Sequence, residues 1–204
     1  MGLQKRNCGI SITLTPCGCY VLDVDFDFYG TKISFSPSSA MGDQFGAFLS
    51  ALYTLYSEGS DGHSEWCMRE YPGKTHRVHA VTTTVDWDNE GTVMTFEMTK
   101  YLKGTNIYLK ITTDYGETFT EFTVNEKDFC YAVAKACTDV LKQYGFYGYK
   151  YSTGEDILDL HQLLFIKAHA LDFYEARASI AEDPVWDAKR TDFNKEVELL
   201  LFDM

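Results

Sequence analysis

From Gly9 to Ser36 apolar and polar residues alternate almost one by one, in "GISITLT" (9–15), "YVLDVDFDF" (20–28) and "TKISFS" (31–36). Period two marks strands that bury one face, so this stretch predicts three strands. Tyr29-Gly30 fits a two-residue hairpin turn, which sets Phe28 opposite Thr31, Asp27 opposite Lys32, Phe26 opposite Ile33 and Val24 opposite Phe35. In that register Val24, Phe26, Ile33 and Phe35 share one face, and Asp23, Asp25, Asp27, Lys32, Ser34 and Ser36 share the other. A slip of one residue would mix the two sets, so the segregation itself argues for the pairing.

The period then changes. In "SSAMGDQFGAFLSALYTLYSEG" the residues Phe45, Phe48, Leu49, Leu52 and Leu55 recur at three and four, which predicts a helix over 43–57 with Asp43 as N-cap and Gly59 as its stop. Alternation returns around 65–71, 74–87, 92–102, 106–113 and 118–124, separated by "PG", "DNEG", "KGTN" and "DYGE". Short turns between alternating strands predict an antiparallel meander.

From Asn125 onward the pattern is helical. "EKDFCYAVAKACTDVLKQYG" predicts a helix over 126–145 that ends at Gly145. Ser152 and Glu155 have capping-box spacing before a helix running to about 181. That helix is apolar almost all round between Ile157 and Phe173, so it is expected at the centre of the core. Asp183 and Pro184 suit the start of a last helix, with Phe193, Val197, Leu200 and Leu201 as its stripe. The expected fold class is α+β: an antiparallel meander sheet of about six to eight strands, one early helix, and a C-terminal block of about three helices on one face. A single domain over 1–204 is expected, mostly strands over 1–125 and helical over 126–204.

Composition narrows the function. Of 204 residues, 45% are hydrophobic and 15% aromatic, which is ample material for a core. Thirty acidic against eighteen basic residues give a formal net charge of −12, which repels nucleic acid and anionic lipid and attracts cationic partners. No apolar run of signal-peptide length opens the chain, and Arg6 stands where a myristoylation motif wants Ser or Thr. Asp159, His161, Lys167, His169 and Asp172 interrupt the most apolar stretch, so no span is expected and a cytoplasmic location is.

Candidate chemistry centres on Asp23, Asp25 and Asp27. Carboxylates two apart on a strand are about 6–7 Å from each other. In water such a pair repels by only about 0.6 kcal/mol, so the face is expected to be wet. "DVDFD" starts like the D-x-D motif of aspartate-based phosphatases, but Asp27 stands in its fifth place. An EF-hand loop fails as well, with Phe28 and Ser34 at its sixth and twelfth places. His76 and His79 lie three apart on a strand and point to opposite faces, while His161 and His169 are too far apart on a helix to share a metal. The "CGC" at Cys17 and Cys19 has no second pair to complete a zinc site, and Cys130 and Cys137 read as core thiols. No metal, no cofactor and no catalytic residues are therefore expected. "YGFYGYKY" (144–151) reads as a loop between helices, with Tyr147, Tyr149 and Tyr151 as candidate interface anchors.

These features favour a binding protein over an enzyme. Small size, acidity, an α+β layout and the lack of catalytic motifs resemble, in composition and layout alone, the immunity proteins of bacterial toxin systems. The resemblance implies a basic toxin domain as partner, with Asp23, Asp25, Asp27, Tyr147, Tyr149 and Tyr151 in the contact. Two alternatives remain: a hydrolytic enzyme whose site is assembled from scattered acids and His76, His79 or His161, and a ligand-binding scaffold that forms a homodimer through the C-terminal helix.

Overall fold

The computed structural model describes residues 5, 8–18, 21–38, 40, 42–61, 65–71, 74–101, 103–114, 118–153, 158–173, 181–183, 188–190 and 193–204. β1 (Ile10–Gly18), β2 (Val21–Phe28) and β3 (Thr31–Phe35) form a three-stranded antiparallel sheet in chain order. The β2–β3 register is the expected one, from Phe28 opposite Thr31 to Val24 opposite Phe35. Its turn works because Tyr29 and Gly30 both take positive φ (54° and 94°), as a tight hairpin of the strands' own twist requires. The Asp27 carboxylate accepts the Gly30 amide at 2.7 Å, offsetting part of the strain at Tyr29.

α1 (Gln44–Asp61) begins where expected, and the Asp43 side chain accepts from the Gly46 amide at 2.8 Å. β4 (Glu65–Tyr71), β5 (Lys74–Asp88), β6 (Val93–Tyr101), β7 (Asn106–Thr113) and β8 (Thr118–Asn125) follow as an antiparallel meander. The strands therefore fall into a three-stranded and a five-stranded sheet, instead of the single continuous sheet the alternation suggested. The reason lies in side-chain volume. The Phe26 ring meets Trp87 at 5.8 Å and Phe96 at 5.7 Å, and Phe28 stacks on Phe122 at 4.5 Å, so the hairpin packs its aromatic face against the second sheet. Periodicity reports that a face is buried, and it is silent on whether another sheet or an edge partner does the burying. α1 closes the same core through Phe48, whose ring lies 5.3 Å from Trp87 and 5.6 Å from Phe96.

The helical block departs further from expectation. α2 (Glu126–Thr153) starts under an Asn125 cap that accepts from the Lys127 and Asp128 amides. At Gly145 it does not stop but kinks (φ 68°, ψ 170°) and resumes, so the expected loop over 144–151 is helical. α2 lies along β1 and buries Phe129 to Ala134 without interruption, so it, and not the 157–173 stretch, is the central helix. α3 (Leu160–Ala170) is capped by Asp159 and ends well before 181, at the left-handed Asp172 (φ 56°). The expected capping box is not one: Ser152 sits in the last turn of α2, and Glu155 lies outside the described residues.

Asp183 does not cap a helix. It belongs to β9 (Ala181–Asp183), which pairs with β10 (Ala188–Arg190) as a small ribbon within the half expected to be all helical. A residue before proline is driven to extended backbone, and an N-cap is extended too, so the Asp-Pro signal does not distinguish them. Pro184 itself lies outside the described residues. α4 (Phe193–Leu201) ends the chain's regular structure. No described helix is long and apolar enough to cross a membrane.

Candidate functional site

The parity of β2 that buries Leu22, Val24, Phe26 and Phe28 turns Asp23, Asp25 and Asp27 to the opposite face, as expected. Hydroxyl residues flank them, Thr15, Thr13 and Ser11 on β1 and Ser34 on β3, with Lys32 of β3 opposite Asp27. Each carboxylate is oriented by a short donor. Ser36 Oγ bonds Asp23 Oδ1 at 2.5 Å and Cys17 Sγ bonds its Oδ2 at 2.8 Å; Ser34 Oγ bonds Asp25 Oδ1 at 2.5 Å. These bonds, with Cys17 the larger influence, hold the Asp23 carboxyl below the usual carboxylate range. The same bond pushes the Cys17 thiol up, away from reactivity.

No ion pair joins Asp23, Asp25 or Asp27 to a basic group among the described residues, although Lys32 stands opposite Asp27 in the register. Nor does any group of three or more His, Cys, Asp or Glu among the described residues have the placement to hold a metal ion. The face is an array of oriented carboxylates, with Asp25 exposed and Asp23 and Asp27 half-buried.

The tyrosines sit on a different element, the part of α2 beyond the Gly145 kink. Tyr147 and Tyr151, one turn apart, are 72% and 87% exposed. Tyr149, the third expected anchor, is fully buried and belongs to the core. The helical register explains the split: a residue two positions from an exposed one points to the other side of a helix.

Of the histidines named in the hydrolytic alternative, the side chains of His76 and His79 lie outside the described residues. His76 and His79 occupy β5 positions opposite Arg69 and Trp66, and His161 Nε2 lies 3.2 Å from the Tyr53 hydroxyl. Cys130 and Cys137 are buried free thiols, and burial pushes both up to about 12, so they behave as small core groups.

A second constellation escaped the sequence reading. Lys100 on β6 ion-pairs with Glu126 at the start of α2 (2.8 Å), and His169 Nε2 on α3 lies 3.7 Å from the other carboxylate oxygen. The Tyr56 ring of α1 lies 4.3 Å from the His169 ring, and its hydroxyl lies against the Cys130 thiol. Burial acts to raise the Glu126 carboxyl, but His169 and Lys100 outweigh it and hold the group below its ordinary range. Burial drives the Tyr56 hydroxyl far up, and the neighbouring Cys130 and Glu126 add to it. The Tyr56 hydroxyl and His169 Nε2 are sealed from solvent, which makes the knot a clamp joining α1, β6, α2 and α3. Strand parity was the available signal, because Lys100 continues the inward series Met94, Phe96, Met98.

Lys167 is buried as well (1% exposed), and its ammonium donates to the carbonyls of Phe202 (2.8 Å) and Leu200 (3.2 Å) and to Thr138 Oγ1 (3.4 Å). It caps the C-terminus of α4 from inside. Burial pushes this amine down to about 8.

No family model matches the chain, and neither a curated protein nor a solved structure matches it.

Proposed function

We propose that the protein is an acidic, cytoplasmic binding protein that receives a basic partner on the outer face of its first hairpin. The observation that carries this reading is the array of Asp23, Asp25 and Asp27, oriented by Ser36, Cys17, Ser34 and the Gly30 amide and matched by no cation among the described residues. Aligned carboxylates on a rigid sheet steer a cationic surface and fix its register, and the net charge of −12 adds long-range attraction. A basic toxin domain, the kind of partner that immunity proteins neutralise, is an occupant of suitable charge.

The test uses a flexible lysine-rich peptide without amphipathic order, titrated at low salt against the parent and against the combined Asp23→Asn, Asp25→Asn, Asp27→Asn variant. Neutralising these three carboxylates should weaken binding by about tenfold. Unchanged affinity in the variant removes the reading. The second reading, a hydrolytic enzyme, draws support from the Glu126–His169 approach at 3.7 Å; the sealed position of Nε2 weighs against it.

A further inference from the structure

The segment 199–204, which closes α4 and runs past it, is tied to the fold by lysines from three distant parts of the chain. Lys167 on α3 donates to the carbonyls of Leu200 and Phe202, at 3.2 and 2.8 Å. Lys142 on α2 pairs with one oxygen of Asp203, and Lys5 pairs with the other at 3.0 Å. Among the described residues, no other side chain makes a hydrogen bond or an ion pair with 199–204. Two apolar anchors complete the attachment. Leu199, the single buried residue of α4, packs with Ala168 and Phe173, and Met204 is buried in the main core.

These ties are of a weaker kind than those within the sheets. The Asp203 side chain is 65% exposed, so its two ion pairs stabilise modestly and are screened by salt. Lys167 is a buried cation whose charged neighbours are Lys142, Asp139 and Asp203, one of them of its own sign. Part of the cost of burying such a charge is recovered when its cover is removed. The carbonyls that Lys167 holds end a helix, and water can satisfy them once they are exposed. A segment with two buried anchors and solvent-facing ion pairs opens at a lower free energy than the whole fold. We propose that 199–204 is a strap over Lys167 that lifts as a unit while the rest of the fold stays closed, and that the ion pairs at Asp203 set how often it lifts. Lifting bares the Lys167 ammonium and the Thr138 hydroxyl that it holds. The protein thus alternates between a form that hides this amine and a form that presents it to solvent.

Methionine oxidation by hydrogen peroxide reads the lift without touching a charge. Met204 reports the strap, and Met98, buried on β6, reports opening of the core. Both rates are followed by peptide mass mapping and scaled to those of the urea-unfolded chain. In the parent the scaled rate of Met204 should exceed that of Met98 at least tenfold. Raising sodium chloride from about 0.05 M to about 0.5 M should speed Met204 several-fold and leave Met98 unchanged. Asp203→Asn should speed Met204 about fivefold at low salt, with the unfolding midpoint kept and most of the salt response gone. Leu199→Ala separates a lifting strap from a static leak around Met204, because it loosens the other anchor. It should speed Met204 at least tenfold without moving Met98. Equal scaled rates for the two methionines in the parent overturn the proposal. So does a Met204 rate indifferent to salt and to Asp203→Asn, or a Leu199→Ala variant that leaves Met204 unmoved or speeds both methionines alike.

Discussion

The molecule solves the problem of placing carboxylates in two opposite ways. On β2 three like charges stand side by side and, among the described residues, take hydrogen bonds from hydroxyl, thiol and amide donors. At the start of α2 a single carboxylate, Glu126, has a lysine and a histidine brought to it by two other elements. Solvent accounts for the difference. Water reduces the mutual repulsion of the aspartates to a few tenths of a kcal/mol per pair, whereas an unpaired charge in a sealed site costs several. A cluster of acids can therefore be left for a partner, while a buried acid has to be answered within the fold.

The largest effect should come from breaking the sealed pair. Lys100→Ala leaves Glu126 without its closest cation, and a loss of about 3 kcal/mol or more in urea unfolding is expected. Replacing both partners, Lys100→Met with Glu126→Gln, should recover much of that loss, because neither an isolated charge nor a large cavity remains. Equal losses in the single and double variants would show that Glu126 is not confined as described. Glu126 also gives an acid-side signature. Its folded value is depressed, so its contribution is present above the unfolded value and is lost as pH falls through the folded one. The Glu126→Gln variant should show a shallower acid loss of stability than the parent.

Lys167 supplies the basic-side counterpart. Its folded value is about 8 against an ordinary 10.5, so the folded state releases the proton first. Stability attributable to this group then rises as pH goes from about 8 towards 10.5, by up to an amount on the order of 3 kcal/mol. Lys167→Met should flatten that alkaline rise while costing the bonds to Leu200 and Phe202, read as midpoint against pH for both proteins. On the wet face the contrast is sharp. Asp23→Asn, Asp25→Asn and Asp27→Asn together should move stability by no more than about 1 kcal/mol, since relieved repulsion and weakened hydrogen bonds oppose each other.

These two charge environments were unequally legible in the sequence. The hairpin register, the outward aspartates and the boundaries of the meander follow from period two, because a half-buried strand must alternate. Tyr149, the Gly145 kink and the Lys100–Glu126–His169 clamp do not follow in the same way. A glycine that stops a helix and one that kinks it carry the same local signal, and whether α2 resumes depends on the tertiary packing of Tyr149 and Thr153. The clamp joins residues far apart in sequence, and only its inward lysine leaves a local trace. The apolar run at 157–173 misled for a related reason: it includes Lys167, whose burial is made tolerable by carbonyls at the end of α4 that no pattern in its own neighbourhood could announce.

The smallest effect probes how firmly the exposed carboxylates are oriented. Asp23 takes a thiol from Cys17 and a hydroxyl from Ser36, and Cys17 is the stronger influence on its depressed proton affinity. Cys17→Ala removes one donor from a site open to water, so global stability should hardly change. The Asp23 carboxyl, followed by NMR titration, should move up towards the ordinary aspartate range in the variant, with Asp25 and Asp27 left as internal references on the same strand. Because its folded value is depressed, Asp23 stabilises the parent above the unfolded value, and that contribution disappears as pH falls through the folded one. The variant should lose less on acidification. An unmoved Asp23 would mean that water already does the work of the thiol, and that the β2 carboxylates reach a partner without preorganisation from β1.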